Sequence, residues 1–186
     1  MRVCVFCGSS PGKSPSYQDA AREVGVTLAG RGIELVYGGA RAGTMGVLAD
    51  AVLGAGGVVH GVIPQSLVDR EVAHTGLTSL KVVANLHERK AEMSALADAY
   101  LVLPGGAGTL EEFFEVWTWA QLGLHTKPIG LLDVGGYYQP MLRFFENMSA
   151  EGFLVETFRE MLIVTTDLAE ALDRFTEYHP PRTKWT

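Results

Sequence analysis

Short, uninterrupted apolar runs recur along the chain, and segments of helical length separate them. Continuous apolar strands, rather than alternating ones, are typical of a parallel sheet that helices cover on both faces. The predicted strands are Val3–Cys7, Glu34–Tyr37, Val58–Ile63, Leu80–Val83, Tyr100–Leu103, Ile129–Val134 and Met161–Val164. The predicted helices are Pro15–Ala29, Gly43–Leu53, Leu86–Ala97, Thr109–Leu122, Tyr138–Met148 and Asp167–Phe175. This alternation predicts an α/β fold of the Rossmann-like, doubly wound type, with a mainly parallel sheet flanked by helices.

Composition and charge narrow the class of protein. The chain has 186 residues, so we expect one domain over residues 1–186, with a loosely ordered tail at 179–186. Its net charge of −6 argues against broad binding to nucleic acids or anionic membranes, which relies on a basic surface. No stretch has the length and apolarity of a membrane span, and the N-terminus lacks the layout of a signal peptide. We therefore expect a cytoplasmic protein.

The cysteines and histidines suggest neither redox nor metal chemistry. Cys4 and Cys7 form a C-x-x-C pattern, but inside a predicted strand, where positions i and i+3 face opposite ways. We expect two separate, buried thiols. No metal site is predicted, because ligand spacing with acids or cysteines is lacking at His60, His74, His87 and His125.

Three predicted strands end in glycine-rich turns, which begin at Gly8, Gly38 and Pro104. In a parallel sheet all three turns lie on the same edge. Glycines let the backbone approach a ligand closely, and the N–H groups at a helix start favour an anion. A single turn of this kind is explained by tight strand-to-helix geometry alone. Three on one edge favour a ligand that carries phosphate.

Two nucleotide-binding fingerprints nearly match and are set aside. The segment Gly8–Ser14 resembles a P-loop but is one residue short between its glycines, and that loop encircles phosphate with successive N–H groups. Asp133 could pass for the magnesium-binding partner of a P-loop, although aspartates that end strands are common. No complete G-x-G-x-x-G follows a predicted strand, which weakens the dinucleotide interpretation.

The predicted helix over Leu86–Ala97 places two cations on its apolar face. Arg89 and Lys90 share the i, i+3, i+4, i+7 stripe with Leu86 and Met93, and that stripe should be buried. The alternative is a solvated face on which Arg89–Glu92 and Glu88–Glu92 are neighbours and the cations extend to water. Beside a phosphate turn, Arg89 is better interpreted as an anion ligand, since guanidinium binds phosphate bidentately.

Three acids, Glu111, Glu112 and Glu115, lie near the start of the next predicted helix. The helix dipole alone explains two of these acids. An acid beside a phosphate turn, however, opposes the charge that the turn attracts. It makes sense if a cation forms during a reaction.

These segments resemble the LONELY GUY (LOG) family of cytokinin riboside 5′-monophosphate phosphoribohydrolases, often mislabelled as lysine decarboxylases. The resemblance covers nearly the whole chain and rests on the segments Val3–Gly12, Tyr37–Gly46, His87–Met93 and Pro104–Glu112. It implies that Arg89 and Glu112 are the catalytic pair, which selects Glu112 among the three acids. It implies the substrate-binding residues Glu71, Lys90, Gly105, Gly106, Ala107, Gly108, Thr109, Leu110, Glu111 and Thr118. Ala40 and Ala107 depart from the family pattern and leave the base preference open.

The resemblance implies a hydrolase that splits the N-glycosidic bond of cytokinin riboside 5′-monophosphates, AMP or both, giving free base and ribose 5-phosphate. It implies no cofactor, a nucleoside 5′-monophosphate as small-molecule partner, and a homodimer or larger homo-oligomer. The alternative is a non-catalytic nucleotide-binding or pterin-cofactor carrier protein on the same fold. A lysine decarboxylase would need a lysine in Schiff base with pyridoxal phosphate. None of Lys13, Lys81, Lys90, Lys127 and Lys184 has a convincing setting for it.

Overall fold

A single parallel sheet organises the chain in the computed structural model, which describes residues 1–70 and 72–183. Its seven strands lie in the order β4-β3-β2-β1-β5-β6-β7, and every neighbouring pair is parallel. The strands are β1 Arg2–Phe6, β2 Glu34–Tyr37, β3 Val59–Pro64, β4 Ser79–Val83, β5 Ala99–Val102, β6 Ile129–Leu132 and β7 Leu162–Thr165. The order reverses between β1 and β5, which is the switch point at which open α/β sheets bind ligands.

Helices cover both faces of this sheet. They are α1 Pro15–Gly30, α2 Gly43–Gly54, α3 Gln65–Val68, α4 Leu86–Leu96, α5 Ala107–Gln121, α6 Gln139–Ala150, α7 Glu156–Glu160 and α8 Leu168–Thr176. A short 3-10 turn, Val134–Gly136, follows β6. Within residues 1–70 and 72–183, no helix is long and apolar enough to cross a membrane.

The continuous apolar strands are explained by a core on each side of the sheet. Successive residues of β1 alternate between the two cores: Val3 and Val5 pack with α1, α2 and α8, whereas Cys4 and Phe6 pack with α4, α5 and α6. Cys4 and Cys7 are both free and buried, and they belong to opposite cores, as the strand periodicity predicted.

The predicted fold class is confirmed, with differences at the ends of elements. All seven predicted strands form, but Val134 belongs to the 3-10 turn rather than to β6. Two short helices, α3 and α7, were not predicted, because four or five residues are too few to show helical periodicity. Helix α5 begins at Ala107, two residues before the predicted start. Gly106 is its N-cap and has extended geometry. The last three residues of the predicted tail lie outside the described residues.

We expect Gly25→Ala to destabilise the protein and Gly30→Ala to leave it intact. A Cβ on Gly25 would lie 2.6 Å from Cβ of Ala51 and 2.8 Å from the carbonyl oxygen of Leu48, where α1 crosses α2. Such overpacking costs about 1–3 kcal/mol of the free energy of unfolding. A Cβ on Gly30 meets nothing within 4 Å. Urea unfolding followed by circular dichroism measures both; equal effects would contradict the close packing of α1 on α2.

Candidate active site

The three glycine-rich turns meet at the carboxyl end of the sheet, as the sequence predicted. The hydroxyl of Thr44, in α2, donates to the carbonyl of Gly8 at 3.0 Å. The hydroxyl of Thr109, in α5, donates to the carbonyl of Cys7 at 2.9 Å. Both threonines are buried, so these bonds tie the starts of two helices to the end of β1. A cavity of about 250 Å³ opens between the turns, lined by Gly8, Ser9, Ser10, Pro11, Gly12, Tyr17, Thr44, Pro104, Gly105, Gly106 and Tyr137.

The start of α5 is open to an anion. Gly106 is the N-cap and has no side chain to accept the first N–H groups of the helix. Gly106, Ala107 and Gly108 are exposed. A Cβ on Gly105 would lie 2.7 Å from Cβ of Thr109, so glycine lets the turn close tightly over the helix start. This arrangement suits a phosphate group.

Arg89 and Glu112 form an ion pair between α4 and α5 beneath this edge. Nη2 of Arg89 lies 3.0 Å from Oε1 of Glu112, and each side chain is only 12% exposed. The solvated-face alternative for Arg89 is therefore wrong, since its partner comes from another helix. Glu92, the partner that alternative proposed, instead pairs with Lys81 at 2.7 Å. The predicted buried stripe holds at Met93 but not at Leu86, which is 55% exposed.

Burial dominates the electrostatics of Glu112. Desolvation raises the pKa of this carboxyl from its ordinary 4.5 to about 7; the Arg89 guanidinium opposes the shift, and the Glu111 carboxylate adds to it. The folded state thus holds a proton that the unfolded state has released, so ionisation of Glu112 lowers stability as the pH rises from about 4.5 to about 7. Near neutral pH, a group of this kind can accept or donate a proton.

Lys90 binds the two remaining acids of α5. Its Nζ contacts Glu111 and lies 3.0 Å from Oε1 of Glu115, and its side chain is 9% exposed. Because α5 begins at Ala107, the acids lie beyond its first turn, and the first turn holds no acid. The dipole explanation offered for them is therefore wrong: cations on α4 account for these acids.

The structure brings together most of the residues that the family resemblance implies. Gly105, Gly106, Ala107, Gly108 and Thr109 form the turn and helix start, with Arg89, Lys90, Glu111 and Glu112 close behind. Leu110 packs against a hydrophobic core. Thr118 is exposed on α5, about 9 Å along the helix axis from Glu112, and so lies away from the turn. Glu71 lies outside the described residues.

Two contacts at this edge carried no sequence signal. The Tyr137 hydroxyl donates to the carbonyl of Gly105 at 2.5 Å, which links the loop after β6 to the phosphate turn. Asp133 is buried; its Oδ1 accepts the backbone N–H of Tyr138 at 2.7 Å and its Oδ2 accepts from the side chain of Gln139 at 2.6 Å. Asp133 therefore orders the loop after β6.

The lysines are engaged elsewhere, where the structure describes their contacts. Lys90 is held by two carboxylates, Lys81 pairs with Glu92, and Nζ of Lys127 donates to the carbonyl of Ser94 at 2.6 Å. Lys184 lies outside the described residues. Residues 1–70 and 72–183 contain no group of three or more His, Cys, Asp or Glu side chains that could hold a metal ion.

An open, glycine-rich helix start at the switch point of a parallel sheet, with the acid of a buried acid–arginine pair on the same helix, is typical of α/β proteins that bind phosphorylated ligands. Comparison with known proteins gives the family. Residues 45–175 match the family model described as "Possible lysine decarboxylase". The chain is 50% identical over 179 residues to cytokinin riboside 5′-monophosphate phosphoribohydrolase LOG of Oryza sativa subsp. japonica, covering 96% of this chain and 74% of that protein.

A second relative bears the same named activity, and two solved structures share the fold. LOG7 of Arabidopsis thaliana, a cytokinin riboside 5′-monophosphate phosphoribohydrolase, is 49% identical, over 96% of this chain and 82% of its own length. The structure of TM1055 has a TM-score of 0.72 at 23% identity, covering 95% of this chain and 99% of that one. The molybdenum cofactor carrier protein of Chlamydomonas reinhardtii has a TM-score of 0.69 at 20% identity, covering 95% and 96% of the two chains, and is similar in fold alone.

The chain belongs to the LOG family of phosphoribohydrolases. The family resemblance inferred from the motifs is thereby confirmed, and so is the Rossmann-like α/β fold class.

We expect Arg89→Met to raise the pKa of Glu112 above its wild-type value of about 7, because the guanidinium stabilises the carboxylate and methionine does not. Carbon-13 NMR of protein labelled at the glutamate side-chain carboxyl measures this titration without substrate. The signal that disappears in Glu112→Gln identifies the resonance. A pKa in Arg89→Met at or below the wild-type value would show that the ion pair does not form in solution.

Proposed function

We propose that this protein hydrolyses the N-glycosidic bond of cytokinin riboside 5′-monophosphates, AMP or both, releasing free base and ribose 5-phosphate. The observation that carries the proposal is the buried Arg89–Glu112 pair, whose acid lies on the helix that has the open, glycine-rich start. The relatives at about half identity bear the same activity in their names. They are named for cytokinin nucleotides, and AMP enters the proposal from the sequence resemblance alone.

The proposed chemistry follows from the charges at each end of the site. The N–H groups of Ala107, Gly108 and Thr109 bind the 5′-phosphate, and so orient the ribose towards Glu112. As the bond from C1′ to the base breaks, positive charge develops on the sugar. The carboxylate of Glu112 stabilises that charge, or takes a proton from the water that attacks C1′. Arg89 keeps this buried acid partly ionised at neutral pH.

The other proposed ligand contacts rest on the family resemblance. We propose that Lys90, Gly105, Leu110, Glu111 and Thr118 contribute to substrate binding, and that Glu71 does so from outside the described residues. The amine of Lys90 already pairs with Glu111 and Glu115. It can contact a ligand only if one of these ion pairs breaks. A single domain, a cytoplasmic location and the lack of nucleic-acid binding stay predictions from the sequence.

The carrier-protein alternative has less support. The molybdenum cofactor carriers share the fold at 20% identity or less, whereas the named phosphoribohydrolases share about half of all residues. A carrier has use for Arg89 as an anion ligand, but has no evident use for a buried acid whose pKa lies near 7.

We expect Glu112→Gln to slow base release by about 10²-fold or more, because one contact to the developing charge is lost. Purified protein is incubated with AMP and with N6-isopentenyladenosine 5′-monophosphate, and free base is measured by chromatography. Glu156→Gln on α7, an acid in an exposed pair with Arg159, is the control and should keep wild-type rates. Tight AMP binding with no turnover in the wild type would favour a carrier instead.

We also propose that the protein is a homodimer or larger. Among the described residues, several large apolar side chains are more than half exposed, including Leu86, Leu124, Phe144 and Phe153. An oligomer would bury such side chains against a second copy of the chain. Light scattering coupled to gel filtration should give at least twice the mass of one chain; the mass of a single chain at micromolar concentration would contradict this.

A further inference from the structure

Gly38, the first residue after β2, lies directly against the guanidinium of Arg89. A Cβ on this residue would lie 2.9 Å from Cζ of Arg89 and closer still to its Nη2. Carbon atoms in contact prefer about 3.5–4.0 Å, so a methyl group here would overlap the guanidinium. The space that holds the tip of Arg89 exists because residue 38 has no side chain.

The backbone does not explain a glycine at this position. Gly38 is not among the glycines of positive φ, whereas its neighbour Gly39 has φ 73° and requires glycine for conformation. Alanine at position 38 is therefore compatible with the local backbone. The methyl group of that alanine, however, would have no room beside Arg89.

The turn that carries Gly38 has little freedom to retreat. The carbonyl of Gly39 accepts the backbone N–H of His74 at 2.9 Å, and the N–H of Arg41 donates to the carbonyl of Val72 at 2.9 Å. On Gly39 itself, an added Cβ would lie 3.1 Å from Cβ of Ile63, so the backbone already packs closely against β3. An added methyl at position 38 would therefore displace the arginine rather than the turn.

The atom that would be displaced is the one on which the ion pair depends. Nη2 of Arg89 is the nitrogen that lies 3.0 Å from Oε1 of Glu112. Nε of Arg89 is buried and, among the described residues, has no hydrogen-bond partner that would anchor the group in its place. The guanidinium is thus held by Glu112 on one side and limited by Gly38 on another.

We propose that Gly38 is a positioning residue for the active site, which keeps the Arg89 guanidinium in register with Glu112 by leaving room for it. The kinetic consequence rests on the proposed hydrolase function, but the geometric consequence does not. Because the overlap involves the far end of a long, flexible side chain, the Gly38→Ala protein should fold normally but lose catalytic activity. A displacement of about 1 Å in a catalytic group is enough to cost about 10²-fold in rate.

A double-mutant cycle with Arg89 separates this role from a general structural one. The four proteins are the wild type, Gly38→Ala, Arg89→Ala and the double variant, with Gly54→Ala as a control. Gly54 ends helix α2, and a Cβ there meets nothing within 4 Å. Two quantities are measured on each protein: kcat and KM for AMP, and the pKa of Glu112 by carbon-13 NMR without substrate.

Gly38→Ala alone should lower kcat about 10²-fold and raise the pKa of Glu112, since the guanidinium no longer stabilises the carboxylate at 3.0 Å. In the Arg89→Ala background, the same substitution should change kcat less than about threefold and leave the pKa unchanged, because the methyl group then meets no guanidinium. Gly54→Ala should match the wild type in both measurements.

Several results would overturn the proposal. The first is an unchanged pKa of Glu112 in Gly38→Ala, and the second is a wild-type kcat in that variant. The third is a decrease in kcat on Gly38→Ala that is equally large with Arg89 present and in the Arg89→Ala background. If the wild type releases no base, the hydrolase function fails, while the NMR titration still tests the position of Arg89. If Gly38→Ala does not fold, recovery of folding in the double variant supports the proposal, and failure to recover contradicts it.

Discussion

The burial of Glu112 beside Arg89 is the constraint on which the rest of the site depends. A carboxylate removed from water is costly unless a cation and hydrogen bonds replace its hydration. Here a single guanidinium at 3.0 Å offsets part of that cost, and the pKa of the acid still rises to about 7. The helices that bring the two groups together, α4 and α5, are in turn joined by Lys90 through Glu111 and Glu115. We propose that Glu112 is reactive because the guanidinium compensates for its burial only in part.

The sheet also positions the helix start that we propose binds the phosphate. At the switch point between β1 and β5, three turns converge and are locked together by the buried hydroxyls of Thr44 and Thr109. The start of α5 is left without a side-chain cap, so its N–H groups are available to a ligand. Glu112 lies one and a half helical turns further along the same helix. Helix α5 thus supplies both the N–H groups that we propose bind the phosphate and the acid that we propose stabilises positive charge on the sugar.

The sequence alone predicted the parallel sheet and the meeting of the three glycine-rich turns at one edge, because continuous apolar strands and glycine turns are local signals. It could not decide whether Arg89 was solvated, since the answer lies with a partner 23 positions away on another helix. Nor could it choose Glu112 among three acids, a choice that came from the family motif. The bond from Tyr137 to Gly105 and the space left by Gly38 arise from long-range packing, and no local pattern marks them.

The pH dependence of kcat/KM is the most direct test of the claim that a buried, poorly compensated carboxylate performs the chemistry. This ratio reports the ionisation of the free enzyme and the free substrate. We expect kcat/KM to rise with pH in two steps. The step near pH 6 comes from ionisation of the substrate phosphate, and the step near pH 7 comes from ionisation of Glu112. In Glu112→Gln, the residual kcat/KM should keep only the step near pH 6. A profile with a midpoint near the ordinary glutamate value of 4.5, or one that Glu112→Gln leaves unchanged, would contradict it.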